Sequence, residues 1–116
     1  MFDFTEERHG DVLVMAITGE LMGGDEAKTF QERIYRAIEE ENVTVVADLK
    51  GVIWMNSSGL GMLMGGLTTL RSSGGDLRLA VVPDRVRRPI TVTKLDRVLT
   101  MFDSVAEAVQ SFDEGG

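Results

Sequence analysis

The chain opens with two short stretches of apolar and β-favouring residues, 2–7 and 12–18, separated by Arg8-His9-Gly10-Asp11. That separator supplies turn chemistry, so the pattern predicts an antiparallel hairpin. Gly19 and the pair Gly23-Gly24 bracket a loop, after which Asp25 is placed to cap a helix by accepting from a free backbone N–H. Ala27, Phe30, Ile34, Ala37 and Ile38 then recur at helical spacing, with Glu26, Glu32, Arg33, Arg36 and Glu40 on the other face. An amphipathic helix lying on a sheet is expected here.

Val43 to Leu49 is a β-branched run with little polar interruption, as for a central strand covered on both faces. Residues 52–55 lead through Asn56-Ser57-Ser58-Gly59 into a second helix, starting near Ser57 or Ser58, in which Leu60, Leu63, Met64, Leu67 and Leu70 share one arc. In that register Met62 projects roughly opposite the apolar stripe and is expected to be exposed. Gly74-Gly75 stops the helix, and Leu77 to Val82, punctuated by Arg78, predicts another strand. Pro83 and Asp84 open a third helix; Pro89 within it removes a hydrogen bond and crowds the preceding turn, so this helix is expected to be short or kinked. Val98 to Phe102 predicts a last strand. Ser104-Val105-Ala106-Glu107 forms a capping box for a final helix carrying Val105, Ala108, Val109 and Phe112, with Asp113 to Gly116 as a frayed tail. Two strands followed by alternating helix and strand predict an α/β fold: a mostly parallel sheet of four to five strands, an antiparallel pair at its beginning, and about four helices.

Composition narrows the function more than the fold. At 116 residues the chain supports one core, so a single domain over residues 1–116 is expected. The formal net charge of −7 repels phosphate backbones and anionic headgroups, which argues against nucleic acid and membrane surfaces as partners and for a protein partner. There is no cysteine and His9 is the one histidine, so thiolate chemistry and His/Cys metal sites are excluded and no cofactor is expected. The N-terminus carries acids where a secretory signal carries basic residues, and no apolar run approaches the roughly 18 residues of a membrane helix. A cytoplasmic protein is expected.

The informative segment is Asn56-Ser57-Ser58-Gly59-Leu60-Gly61. It sets two hydroxyls at a strand-to-helix turn whose first backbone N–H groups lack helical partners, a place that favours anions. A phosphoryl group on Ser58 would add about −1.5 to −2 charges that the fold tolerates and a docked partner does not. The plainer reading is that Asn56 or Ser57 caps the helix and the glycines permit close packing. Gly59, Gly61 and Gly65, with Asp84 downstream, also mimic a dinucleotide fingerprint, but the chain is too short for a two-half nucleotide domain. No G-x-S-x-G elbow is present, and Glu39, Glu40 and Glu41 read as a solvated helix end, so no catalytic residue is assigned. Arg85, Arg87 and Arg88 form a small basic cluster suited to a partner's acids or to local charge balance.

Val45-Val46-Ala47-Asp48-Leu49 followed by Met55-Asn56-Ser57-Ser58-Gly59-Leu60-Gly61 resembles the STAS domains of anti-sigma factor antagonists. So do Gly19-Glu20-Leu21, Gly74-Gly75 and Leu95-Asp96-Arg97-Val98-Leu99, in order along nearly the whole chain. The resemblance implies a binding module, not an enzyme, whose partner is an anti-sigma factor with serine kinase activity. It implies phosphorylation at the second serine, Ser58, by that partner, and reversal by a phosphatase. The implied partner-binding residues are Asn56, Ser57, Ser58, Gly59, Leu60, Gly61 and Met62. The family usually has Asp where this chain has Asn56, which removes a negative charge beside the acceptor; Pro89 and Lys94 depart from the commoner pattern around the third helix. The same fold also serves as an accessory subunit of lipid transporters or as part of larger signalling assemblies, binding without phosphorylation.

Overall fold

The hairpin is tighter than its sequence predicts. In the computed structural model, which describes residues 2–114, β1 (Phe2–His9) pairs antiparallel with β2 (Val12–Leu21) from Phe2↔Gly19 to His9↔Val12. His9 is therefore the last strand residue, and the turn is Gly10-Asp11, with Gly10 at φ 65°. Nor does β2 break into a loop at Gly19. Its register against the next strand slips between Ala16 and Thr18 and again between Gly19 and Glu20. Gly19, at φ 97°, takes the left-handed backbone there, and the strand continues to Leu21.

The helix α1 (Asp25–Glu39) starts one residue earlier than a cap at Asp25 requires. Gly24 holds the cap position at φ 65°, ψ −135°, with no side-chain cap bond, so Asp25 is already helical. Glu26 does related work, its Oε1 accepting from the Met22 N–H at 3.3 Å. Phe30, Ile34 and Ala37 are buried and Ala27 and Ile38 partly so, as the spacing predicts. Arg33, on the outer side, donates from Nε to Glu6 Oε2 at 2.6 Å and lies over the Phe4 ring, fastening α1 to β1. Its hydrogen bond to Glu6 raises the guanidinium pKa above the ordinary value.

The central strand β3 (Thr44–Met55) runs well past Leu49, to the brink of the serine turn. It is followed by α2 (Ser57–Ser72), β4 (Asp76–Ala80) and α3 (Asp84–Val92). A single 3-10 turn, Leu95–Arg97, precedes β5 (Met101–Phe102) and α4 (Val105–Glu114). Among the described residues the sheet has five strands in the order β1-β2-β3-β4-β5, parallel from β2 onward. This is the α/β single-domain architecture expected, with the antiparallel pair at one edge.

Successive crossovers in one direction put α1, α2 and α3 on one face. The main apolar cluster lies beneath them: Leu13, Met15 and Ile17 of β2, Val45, Ala47 and Leu49 of β3, Leu77 and Leu79 of β4. The opposite face has a smaller cluster in which Val12, Val14, Val46 and Ala80 meet Ala108 of α4. Arg78 anchors α4 to that face, donating to Ser111 Oγ at 2.7 Å with its guanidinium 4.0 Å from the centroid of the Phe112 ring.

Three boundaries differ from expectation. β4 stops at Ala80 because Val81 turns to φ 53°, and Val82 is outside the strand. The last strand is shorter than Val98 to Phe102, because Leu99 donates its N–H to Leu95 O at 2.8 Å, a four-residue bond that closes off the 3-10 turn, and buries its side chain. Asp113 is helical and not part of a frayed tail, while Gly115 and Gly116 lie outside the described residues. The third helix is short, with Pro89 inside it, and Ser104 Oγ accepts from Glu107 N–H as a capping box requires.

Candidate functional site

The serine turn is latched to the end of β2. Asn56 is extended (φ −101°, ψ −177°) and donates its N–H to Leu21 O at 3.1 Å. Its Oδ1 accepts from Gly59 N–H at 2.8 Å, which makes Asn56 the helix cap. This assignment leaves the serines unemployed: among the described residues neither the Ser57 nor the Ser58 hydroxyl has a hydrogen-bond partner, and both residues are exposed.

Two glycines allow the latch. A Cβ on Gly59 would stand 2.0 Å from Leu21 O, inside the backbone of β2, so the head of α2 reaches the strand end only without a side chain there. Gly23 has φ 83°, and a Cβ on it would stand 2.6 Å from Ser58 Cβ. Ser58 thus lies against the loop joining β2 to α1, while Ser57 does not line the cleft described next.

Between α1 and α2 runs a cleft of about 500 Å³, lined by Gly23, Gly24, Ala27, Lys28, Gln31, Ser58, Gly61, Met62 and Gly65. Gly24 and Gly61 face open space, with nothing within 4 Å of a Cβ built on either. Lys28 is the charged side chain on this lining. The Gln31 amide donates to Thr69 Oγ1 at 2.6 Å and is held against α2.

Met62 is not the exposed residue that the stripe on α2 predicts: it is 5 % exposed and belongs to the main core. The stripe assumed that α2 has one buried face, against the sheet. α1 covers a second face, with Phe30 packed so tightly on Gly66 that a Cβ there would stand 2.7 Å from its ring. Met62 therefore forms part of the cleft floor. Gly59 and Leu60 are buried as well, so Ser57, Ser58 and Gly61 are the exposed members of the expected partner-binding set, with Asn56 half-buried. Met62→Ala is expected to lower stability by about 2 kcal/mol, the low end for a buried methionine because the cleft is open on one side. Urea unfolding checks this; an unchanged midpoint would mean that Met62 carries no packing.

An apolar rim beside the turn escapes a reading of the sequence. Met22, Ile53 and Trp54 are 45 %, 59 % and 44 % exposed, on the segments that lead away from Leu21 and into Asn56. β4 pairs with β3 only through Asp48, so the rest of β3 has no neighbour on that side. Arg85 of the basic cluster reaches this rim, donating from Nη1 to Ile53 O at 3.3 Å. The sequence held no signal for it, since an unbroken apolar run such as Val52 to Met55 is the pattern of a strand covered on both faces.

Fold and turn together define a small α/β domain that presents an unbonded serine, an apolar rim and a glycine-floored cleft at one end of its sheet. The profile of the STAS domain matches residues 4–108, and the chain belongs to that family. It is 25 % identical over 108 residues to the anti-sigma F factor antagonist of Paenibacillus polymyxa, covering 92 % of each chain. A crystal structure from Thermotoga maritima, of a protein named provisionally as an anti-sigma factor antagonist, superposes with a TM-score of 0.84 at 25 % identity, covering 93 % of this chain and 92 % of that one. The phosphorylated form of the Bacillus cell fate determinant SpoIIAA shares the fold, with a TM-score of 0.73 at 20 % identity over 95 % and 99 % of the two chains. Among the described residues no helix is long and apolar enough to cross a membrane, and no group of three or more His, Asp or Glu side chains is placed to hold a metal.

Proposed function

We propose that this protein is an anti-sigma factor antagonist, a binding module that docks an anti-sigma factor over the Ser58 turn and is released when that serine is phosphorylated. The observation that carries the reading is the unbonded, exposed hydroxyl of Ser58 on a turn whose cap is supplied by Asn56. A phosphoryl group there breaks no hydrogen bond of the fold, yet adds charge in the middle of the docking surface. The switch acts on binding and leaves folding alone. The anti-sigma factor is itself the serine kinase in this reading, and a phosphatase restores the active form. No catalytic residue is assigned to the chain.

The rim of Met22, Ile53 and Trp54 supplies the apolar contact that a protein interface needs at its centre, and Arg85 a cation at its edge. Trp54 is the one tryptophan, so docking has an intrinsic reporter. Titration with the cognate anti-sigma factor, or with a variant of it lacking tryptophan, is expected to shift Trp54 emission to shorter wavelength as its ring leaves water. Binding by calorimetry with unmoved emission would place the interface elsewhere on the molecule.

A further inference from the structure

Lys28 stands on the same cleft as Ser58, and among the described residues it makes no ion pair. In a chain of net charge −7 this cleft contains no acidic lining residue: its wall is glycine, alanine, methionine, glutamine and serine around one lysine. Asp25 and Glu26, the acids at the head of α1, do not line it, and Glu26 is engaged with Met22 N–H. The Gln31 amide donor is bonded to Thr69. Lys28 is thus the cation free to meet an anion delivered by Ser58. Room for that anion comes from Gly24 and Gly61, which leave open space where side chains would stand, and from Gly65, where a Cβ would have only Gln31 Oε1 within 4 Å, at 3.7 Å.

We infer that Lys28 holds the phosphoryl group of phosphorylated Ser58, drawing it across the mouth of the α1–α2 cleft. The inference rests on Ser58 being the modified residue and adds the means by which the modified state is held. The ammonium and the phosphoryl oxygens form a charge-assisted pair that fixes the group over the cleft. The phosphorylated protein then differs from the free one in two ways: added charge, and a closed cleft. Lys28 is a positioning residue in this account and takes no part in phosphoryl transfer.

The test installs phosphoserine at position 58 during translation, by suppression of a stop codon, so that no kinase is needed. The second ionisation of the phosphate is followed by phosphorus NMR in the otherwise native protein and in Lys28→Met and Lys28→Arg. A neighbouring ammonium favours the dianion, so the native protein should titrate at a lower pH than Lys28→Met, by about half a unit for an exposed pair, with Lys28→Arg close to native. A merely structural lysine would not move this titration, and amide spectra confirm that each variant is folded. Equal titration in native and Lys28→Met overturns the inference. That result leaves the Ser58 switch standing, whereas a kinase that ignores Ser58 defeats the switch and leaves the effect of Lys28 on an installed phosphate to be read directly.

Discussion

Ser58→Asp is expected to weaken binding of the cognate anti-sigma factor by about a hundredfold, while the melting temperature stays within a degree or two of the native value. The loss follows from a fixed negative charge at the centre of a docking surface, which must give up its water when the partner docks. Constancy of the fold follows from what Ser58 touches. Its hydroxyl has no partner among the described residues, its side chain is exposed, and the cap of α2 is supplied by Asn56 Oδ1. Calorimetry of the complex and of the free protein reads both quantities. A large fall in melting temperature would make Ser58 a structural residue, and unchanged affinity would place the interface away from the turn.

Gly59→Ala is expected to cost about 3 kcal/mol or more, the larger end of overpacking effects, because the new Cβ meets backbone and not a side chain that could swing away. Leu21 O stands 2.0 Å from the position that Cβ would take, and Asn56 N–H donates to the same oxygen. The head of α2 must therefore lift from β2, loosening the latch that presents Ser58. Two residues on, Gly61→Ala should act in the opposite direction. It has open space around it inside a helix, so alanine gains about 0.5–1 kcal/mol by helix propensity. Denaturant unfolding of the pair tests the geometry of the turn: equal effects at the two positions would contradict it.

Much of this fold was legible because successive elements report themselves independently. The apolar spacing from Ala27 to Ile38, the run Val43 to Leu49 and the Ser104 cap on Glu107 N–H, one half of the expected capping box, each act within a few residues, and each is found in place. Errors cluster where one element's environment is set by another far along the chain. Met62 reads as exposed on an isolated helix and is buried because α1 covers that side of α2. Gly19 reads as a loop residue and lies within β2, because the bulge that needs it arises only from pairing with β3. Ile53 and Trp54 read only as the lead-in to the serine turn; they lie on β3 and are exposed, where β4 has ended and no longer pairs with that strand.

The candidate site divides in the same way. The serine turn was legible because a cap, two hydroxyls and permissive glycines stand next to one another in sequence. Which residue caps was not, since Asn56 and Ser57 are both competent and only the bond to Gly59 N–H decides. Lys28 could not have been placed on the same cleft as Ser58, because that cleft is created by the packing of α1 against α2.

The most direct test of partner switching is to incubate the protein with its cognate anti-sigma kinase and ATP, then locate any added phosphate by intact mass and peptide mapping, with Ser58→Ala in parallel. The account predicts one phosphoryl group, on Ser58, absent from the variant, and loss of the complex as it accumulates. Phosphate on Ser57, or an unmodified protein in a stable complex with the active kinase, would contradict it.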